Sequence, residues 1–173
     1  MIDKQKIQEL TYEFLKAIGE NPEREGLLDT PKRVANMCEE IFGSVNFKNS
    51  DMKLKKFTES CCNSGTVEIK NIPVFSVCEH HLLPFFGDAT IKYIPRNDTI
   101  LGISKFSRVV DNFSRKPQLQ ERLTAEILDY LWKELSPKGL KVTLECKHMC
   151  MIMRGVKSIN SATVTSAVKG EIE

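Results

Sequence analysis

A thiol, a carboxylate and two imidazoles stand in four consecutive residues of this chain, Cys78, Glu79, His80 and His81. The whole sequence holds three histidines, so two of them lie in this short segment. Cys78 and His81 have C-x-x-H spacing, which lets one turn of backbone bring a sulfur and an imidazole nitrogen to the same ion. Zinc prefers these donors, and we interpret the segment as half of a metal site.

The third histidine, His148, lies two residues before Cys150 in a segment of alternating apolar residues. Residues two apart on a β-strand point to the same face, so we expect both side chains to enter one pocket. Every histidine then lies within three residues of a cysteine. This clustering favours a metal site over the alternative of buried apolar thiols beside surface imidazoles.

Three ligands, Cys78, His81 and Cys150, would leave the fourth position of a tetrahedral zinc site open for water, as in catalytic sites. The remaining imidazoles, His80 and His148, can carry protons near neutral pH. The combination indicates metal-assisted hydrolysis, in which bound water ionises and attacks an electrophilic carbon. Sulfur and imidazole also accept iron or cobalt, so the metal stays open between these ions.

Cys38, Cys61 and Cys62 have no histidine nearby, and we interpret them as non-functional. Cys146 shares the strand face of His148 but lies farther up the strand, and we interpret it as a core residue. The polar, periodic N-terminus predicts no secretory signal, which favours the cytoplasm. In a reducing compartment thiols serve metals or catalysis more often than disulfides.

The composition limits the classes of partner that this protein is expected to bind. The 173 residues carry a net charge of +2 and 41% hydrophobic residues, as in an ordinary globular domain. A nearly balanced charge gives no general attraction to nucleic acid, and no apolar run is long enough to span a membrane. We therefore expect neither partner, and any site for an anion must be local.

Such a local site is predicted where Ser104, Lys105 and Arg108 open a helix, because its free amides and two cations suit a phosphate chain. Arg154 would add a fork-shaped donor near the metal. A lone lysine or arginine is more often a solvated surface charge, and only convergence with the metal site favours a role in binding phosphate. Gln120 and Glu121 begin the next helix, where the carboxylate would suit the donor edge of guanine or, equally well, the helix dipole.

Hydrophobic periodicity predicts the elements that position these residues. We expect two amphipathic N-terminal helices at 4–18 and 29–43, a loop at 44–65, and a helix pair at 104–115 and 118–135. Strands are expected at 65–78, broken near Pro73, and at 87–95, 140–155 and 161–168. Because strands come in adjacent pairs, the pattern predicts an α+β fold with an antiparallel sheet.

The sequence resembles the GTP cyclohydrolase I family in four blocks spread from about Thr30 to Gly170. These blocks are CEHHLLPFFG, LGISKFSR, QLQERLT, and HMCMIMRGV followed by SATVTS. Four blocks in order at sensible spacing are far more specific than one short motif. Members of this family open the imidazole ring of GTP at C8, release formate and rearrange the product to 7,8-dihydroneopterin triphosphate.

The resemblance implies roles for residues at the matching positions. The zinc ligands would be Cys78, His81 and Cys150, and the acid–base histidines His80 and His148. The substrate-binding residues would be Ser104, Lys105, Arg108, Gln120, Glu121, Arg154 and Arg33. The product would feed folate, tetrahydrobiopterin or queuosine-type synthesis, which share this first step.

The resemblance also implies the tunnelling fold, an antiparallel β-sheet backed by two helices with N-terminal helices. We expect a single domain, 1–173, with an N-terminal helical part at 1–45 and a catalytic core at 66–170. Members form homodecamers of two pentamers with sites at subunit interfaces. They usually continue with a further helix beyond the position of Glu173, a departure that removes no candidate catalytic residue.

Other interpretations remain open at this stage. A structural zinc domain would bind its metal through four protein ligands and lack activity. A related tunnelling-fold enzyme would act on pterins or deazapurines, although such nitrile reductases lack the CEHH block. A paralogue that binds GTP without turning it over would keep every motif residue.

Overall fold

The computed structural model describes residues 2–48, 52, 54–58 and 65–172. Its elements, in chain order, are α1 Lys4–Ala17, α2 Thr30–Ile41, β1 Lys56–Thr58, β2 Val67–Cys78, β3 Pro84–Ile94, β4 Thr99–Leu101, α3 Ile103–Ser114, β5 Pro117–Gln118, α4 Gln120–Leu135, β6 Gly139–His148, α5 Met149–Ile152 and β7 Thr163–Gly170. The predicted α+β class, with an antiparallel sheet and two helices that follow the N-terminal pair, is confirmed.

The main sheet has the strand order β5-β2-β3-β6-β7, and its four long strands are antiparallel. β5 is a two-residue strand that pairs in parallel with the end of β2, placing Gln118 opposite Cys78. Strands β3 and β6 approach so closely that a Cβ on Gly87 would lie 2.0 Å from the carbonyl oxygen of Glu145. Glycine at this position therefore allows the central strands to pair without a bend.

Helices α3 and α4 cover one face of this sheet. Their apolar stripes recur at helical spacing, and alternate strand residues face them, so both periodicities meet in one core. Fully buried core residues include Val74, Phe85, Ile91, Phe106, Val110, Leu123, Ile127, Leu131, Val142 and Leu144. Burial of this apolar surface fixes the positions of α3 and α4 on the sheet.

Helices α1 and α2 pack on each other, and hydrogen bonds join the end of α2 to the end of α3. The Arg115 side chain donates from Nε to the Glu40 carbonyl oxygen at 2.7 Å, and the Ser44 amide donates to the Arg115 carbonyl oxygen at 3.0 Å. Several apolar side chains of α1, namely Leu10, Phe14 and Ile18, remain exposed.

Three predictions for the strands need correction. Strand β2 continues through Pro73, because the irregularity lies at a bulge between Ile69 and Ile72 where Asn71 has φ 56°. The predicted loop at 44–65 contains strand β1. The strand predicted at 140–155 ends at His148, where α5 begins.

Among the described residues, no helix joins enough length with enough apolar character to cross a lipid bilayer.

Candidate active site

Three side chains with metal-binding atoms converge at the end of β2. The sulfurs of Cys78 and Cys150 and a ring nitrogen of His81 all lie within 4.8 Å of one another. Cys78 is buried, Cys150 half-buried and His81 exposed. This is the trio whose donor types and spacing predicted a metal site.

A tight turn brings His81 back toward Cys78. The amide of Leu82 donates to the Cys78 carbonyl oxygen at 2.8 Å, and the Cys78 amide donates to the Leu83 carbonyl oxygen at 2.8 Å. Leu82 has φ 53°, a left-handed conformation that lets the chain reverse within these few residues. The expected single turn between the two ligands is therefore present.

Cys150 reaches the same point by a different route from the predicted one. We expected His148 and Cys150 on one strand face, but β6 ends at His148 and Cys150 lies in the one-turn helix α5. This prediction was wrong because four residues are too few to show helical periodicity against the alternating pattern that precedes them.

The donor set fits a tetrahedral metal ion. Ligand atoms around tetrahedral zinc lie roughly 3.5–3.8 Å apart, which is compatible with the observed upper limit. Burial raises the pKa of the Cys150 thiol, the neighbouring Cys78 raises it further, and the Arg154 cation opposes this rise. A cation bound between the sulfurs would reverse the preference for protonated thiols.

His148 lies beside this trio in a fixed orientation. Its ring stacks on Phe85 with centroids 4.7 Å apart and an interplanar angle of 10°. Its Nε2 lies 2.8 Å from Oε1 of Gln120. Burial lowers the pKa of His148, while the nearby Glu121 carboxylate opposes this by raising it.

The Gln120 side chain is 1% exposed and is bonded entirely within the protein. Its amide nitrogen faces the carbonyl oxygens of Leu144 and Thr163 at 3.1 and 2.9 Å, and the Thr165 hydroxyl at 3.0 Å. These acceptors fix the amide orientation, so the carbonyl oxygen faces His148 and accepts a hydrogen bond from Nε2–H. The predicted contact between Gln120 and a guanine base would require these bonds to rearrange.

Glu121, in the first turn of α4, is exposed next to this network. Its carboxylate raises the pKa of His148 against the larger effect of burial, so it lies near the imidazole. The sequence predicts that both residues belong to one site.

His80 and Arg154 complete the surroundings of the trio. The His80 Nδ1 lies 3.9 Å from the Cys78 sulfur, and the His80 and His81 rings have centroids 6.3 Å apart. The Arg154 Nη1 lies 3.3 Å from the His81 Nε2, where the guanidinium can only donate. Arg154 is therefore beside the candidate metal site, as predicted.

The cations expected from the start of α3 do not join this cluster within one chain. The other end of α3 adjoins the cluster, since the Ser76 hydroxyl donates to the Ser114 carbonyl oxygen at 2.7 Å. Nine residues of helix separate Lys105 from Ser114, a distance of about 14 Å along the axis. Ser104 and Arg108 are exposed and Lys105 is half-buried, and no ion pair to either cation occurs among the described residues.

Arg33 is also separate from the cluster. Its guanidinium lies 3.1 Å from the Asp29 carboxylate on its own helix, and both side chains are largely exposed. Nothing in the described contacts of one chain connects Arg33 with the metal trio.

Sequence reasoning missed the role of Glu79, Gln118 and Arg122. The Arg122 guanidinium forms an ion pair with the Glu79 carboxylate in the turn between the ligands Cys78 and His81. A carboxylate left without a role in CEHH, and an arginine four residues after a glutamine in QLQER, were the available signals.

The remaining described cysteines lie away from the trio. Cys146 is 1% exposed, and burial, with smaller effects of Asp88 and Glu145, raises its pKa to about 12, which agrees with a core thiol. Burial also raises the pKa of Cys38. Cys61 and Cys62, which we interpreted as non-functional, lie outside the described residues.

Comparison with known proteins gives one consistent family. The model of the family GTP cyclohydrolase I matches residues 7–173. Proteins named GTP cyclohydrolase 1 are similar along nearly the whole chain. That of Carboxydothermus hydrogenoformans is 51% identical over 98% of this chain and 88% of its own length. That of Clostridioides difficile is 49% identical over 99% of this chain and 90% of its own length.

One solved structure, the archaeosine synthase QueF-Like in its apo form, is similar with 24% identity and a TM-score of 0.49. The match covers 62% of this chain and 96% of that one.

Proposed function

Because the chain belongs to the GTP cyclohydrolase I family, a family of hydrolases, we propose that it opens the imidazole ring of GTP at C8 with the help of zinc. The products would be formate and 7,8-dihydroneopterin triphosphate. The observation that supports this most directly is the convergence of Cys78, His81 and Cys150 beside a half-buried, oriented His148.

Cys78, His81 and Cys150 would hold the metal as three protein ligands. When bound, zinc supplies Lewis-acid activation of water for attack on C8. The described part of the chain offers no fourth protein ligand in the same group, which is the arrangement of a catalytic rather than a closed structural site.

His148 would move a proton at its Nδ1. Its Nε2 donates to Gln120, so Nδ1 is the nitrogen left free to exchange a proton with the purine ring as the C8 bonds change. Stacking on Phe85 prevents the ring from turning away. Because burial lowers its pKa, His148 would take up the proton released when water adds to C8 and pass it to the ring nitrogen as the C8–N bond breaks.

His80 would be the second acid–base group, at the exposed mouth of the site. It lies in the turn that carries Cys78 and His81, with its Nδ1 3.9 Å from the Cys78 sulfur, but it is not part of the metal trio. Being exposed, it can exchange protons with solvent after each turnover.

Glu121 would recognise guanine by accepting two hydrogen bonds from adjacent N–H groups of the base. Its exposed carboxylate is near enough to His148 to raise the pKa of the imidazole, so a bound purine could meet both. Gln120 would contribute mainly by supporting His148 from within the protein.

Ser104, Lys105, Arg108, Arg154 and Arg33 would bind the triphosphate. Arg154 is available in the same chain as the metal trio, whereas Lys105 and Arg108 lie at the other end of α3. We therefore propose that a neighbouring subunit supplies the α3 cations, in a homodecamer of two pentamers as the resemblance implies. The exposed apolar side chains of α1 are compatible with burial in such an assembly.

The rest of the proposal concerns the setting of the reaction. One domain would carry the activity in the cytoplasm, with GTP as the small-molecule partner and no nucleic acid or membrane involved. The product would enter folate or tetrahydrobiopterin synthesis.

The deciding experiment incubates the purified zinc-loaded protein with GTP and measures formate and a fluorescent pterin after oxidation. We expect both in equal amounts, and we expect a chelator to abolish them and added zinc to restore them. A protein that binds one zinc and GTP but releases no formate would contradict the proposal and favour the inactive paralogue.

A further inference from the structure

The turn that carries two of the proposed metal ligands is fastened to the start of α4 through Glu79. The Arg122 guanidinium bonds to the Glu79 carboxylate, and its other contacts lie on one rigid segment. Its Nε donates to Oε1 of Gln118 at 2.9 Å, and its Nη2 also approaches the carbonyl oxygen of Pro117 at 3.3 Å. One side chain therefore bridges β5, the first turn of α4 and the CEHH turn.

The backbone of Glu79 is held by the same segment. Its amide donates to the carbonyl oxygen of Gln118 at 3.1 Å, next to the point where Gln118 pairs with Cys78. Main chain and side chain of one residue are thus fixed by two neighbouring partners. A turn restrained at both positions has few ways to rotate.

Gln118 makes this attachment rigid because its own side chain is fully buried. Its amide nitrogen donates to the Phe113 carbonyl oxygen at 3.0 Å and to the Glu126 carboxylate at 2.8 Å. The amide orientation is therefore fixed, and Oε1 faces Arg122 as an acceptor. The guanidinium is consequently held in place before it meets Glu79.

The ion pair contributes positioning more than stability. The Arg122 and Glu79 side chains are 41% and 32% exposed, and ion pairs at such positions add little to the free energy of unfolding. A guanidinium bonded at several nitrogens nevertheless fixes direction, because its donors form a planar fork. Glu79 follows Cys78 directly and precedes His81 by two residues, so fixing it aims both ligands.

We propose that Arg122 is a positioning residue that holds the CEHH turn, through Glu79, in the geometry that binds the metal. The inference rests on the proposed metal-dependent function. Mutation of a residue that orients a metal ligand typically weakens metal binding by roughly 10–100-fold. We expect a loss at the lower end of this range, since Cys150 belongs to another element.

The test measures binding of cobalt(II) alone to the metal-free full-length protein, read by the thiolate-to-cobalt absorption band, and of zinc by competition with a chromophoric chelator. Glu79→Gln keeps the size of the side chain and removes its charge, and Arg122→Met keeps the length and removes all donors. We expect each to weaken metal binding about 10-fold with a circular dichroism spectrum like the wild type. The double variant should bind no more weakly than either single variant, because both remove one interaction.

Two further variants complete the design. Arg122→Lys keeps the charge but not the fork and should recover part of the affinity lost in Arg122→Met. Lys169→Gln removes an exposed ion pair with Asp129 on the far part of α4 and should leave metal binding unchanged. If Arg122→Met fails to fold, Glu79→Gln still decides the question.

Single variants that fold and bind cobalt within about twofold of the wild type would overturn the proposal. It would also be overturned if the losses of metal affinity in Glu79→Gln and Arg122→Met simply added in the double variant. A wild type that binds neither cobalt nor zinc would instead overturn the metal-dependent function on which the proposal rests.

Discussion

The two ends of helix α3 differ in how complete their surroundings are. At its C-terminal end, Ser114 accepts a bond from Ser76, and the nearby donor groups Cys78, His81 and Cys150 already converge. At its N-terminal end, Lys105 is half-buried and Arg108 exposed, and neither has an ion pair among the described residues. Within the described part of one chain, the metal-binding groups therefore converge, while the cations have no ion-pair partner.

The two ends of α3 therefore depend on different kinds of contact. The metal end depends on contacts between β2, β5, α4 and α5 that a single chain makes as it folds. In our proposal, the cation end depends on where a neighbouring subunit is placed. Changes at the metal end should therefore alter what one subunit binds, and changes at the cation end should alter what the assembly does.

The largest expected effect is at the metal end. Cys150→Ser should lose stoichiometric zinc and with it formate production, because a neutral hydroxyl is a far weaker zinc ligand than a thiolate. Zinc content after dialysis is measured by atomic absorption. Cys38→Ser, which changes a half-buried thiol in α2, serves as the matched control and should keep its zinc. Stoichiometric zinc in Cys150→Ser would remove this residue from the ligand set.

His148→Ala should slow the chemical step by about 10²–10⁴-fold while zinc and GTP binding persist. The reason is that the imidazole moves a proton and, in our proposal, does not bind the metal. Single-turnover formate release and zinc content are measured on the same preparation. Loss of zinc from this variant would make His148 a fourth ligand and close the site to water.

Lys105→Ala and Arg108→Ala should weaken GTP binding by on the order of 1.5–3 kcal/mol per charge-assisted contact, and guanosine binding much less. Metal affinity should stay unchanged, because these residues lie at the other end of α3. Calorimetric titration with both ligands gives the comparison, with Lys133→Ala on α4 as a control. Equal losses for GTP and guanosine would contradict a role in binding phosphate.

Mixing two inactive variants sharpens the same comparison. The activity is measured at a GTP concentration well below the one that saturates Lys105→Ala chains, so that both variants are nearly inactive alone. If the cations come from a neighbouring subunit, reassembled mixtures of His148→Ala and Lys105→Ala chains should recover up to about one quarter of the wild-type activity, since half the chains supply each intact part. Each variant carried alone through the same dissociation and reassembly is the control. No recovery above these controls would place both parts of the site in one chain.

The smallest expected effect concerns the bond between Ser76 and Ser114. Ser76→Ala removes a buried hydroxyl donor and should lower the free energy of unfolding by about 1 kcal/mol, since the Ser114 carbonyl oxygen keeps a second donor, the amide of Lys116. Thermal unfolding followed by circular dichroism should show a midpoint about 2–4 °C lower. An unchanged midpoint would mean that this bond contributes nothing net.

The helices and long strands could be predicted from the sequence because periodicity directly reports which face is buried. Residues such as Leu123, Ile127 and Leu131 recur on one side of α4, and all three lie in the core. The metal trio could be predicted because few residue types provide sulfur or imidazole, and the chain places them in two short clusters.

The rest depends on contacts that spacing does not report. Strand β5 has two residues and α5 has four, so neither leaves a periodic signal. Arg122 meets Glu79 across 43 positions of sequence, and only the pairing of β5 with β2 brings them together. Residue spacing alone does not report that the cations of α3 lie about a helix length from the metal trio, although the resemblance implied sites at subunit interfaces.

The first turn of α4 supports both the proposed proton transfer and the proposed metal site, since Gln120 bonds to His148 and Arg122 bonds to Glu79 in the CEHH turn. The same helix is anchored in the core by Leu123 and Ile127, which are fully buried. Amide protons there should exchange with solvent only when the core itself opens, whereas we expect α1 and α2, which contribute no residue to the main core cluster, to open locally. Heating should therefore inactivate the protein in one cooperative event, and fraying of its N-terminal helices should leave proton transfer and metal retention intact.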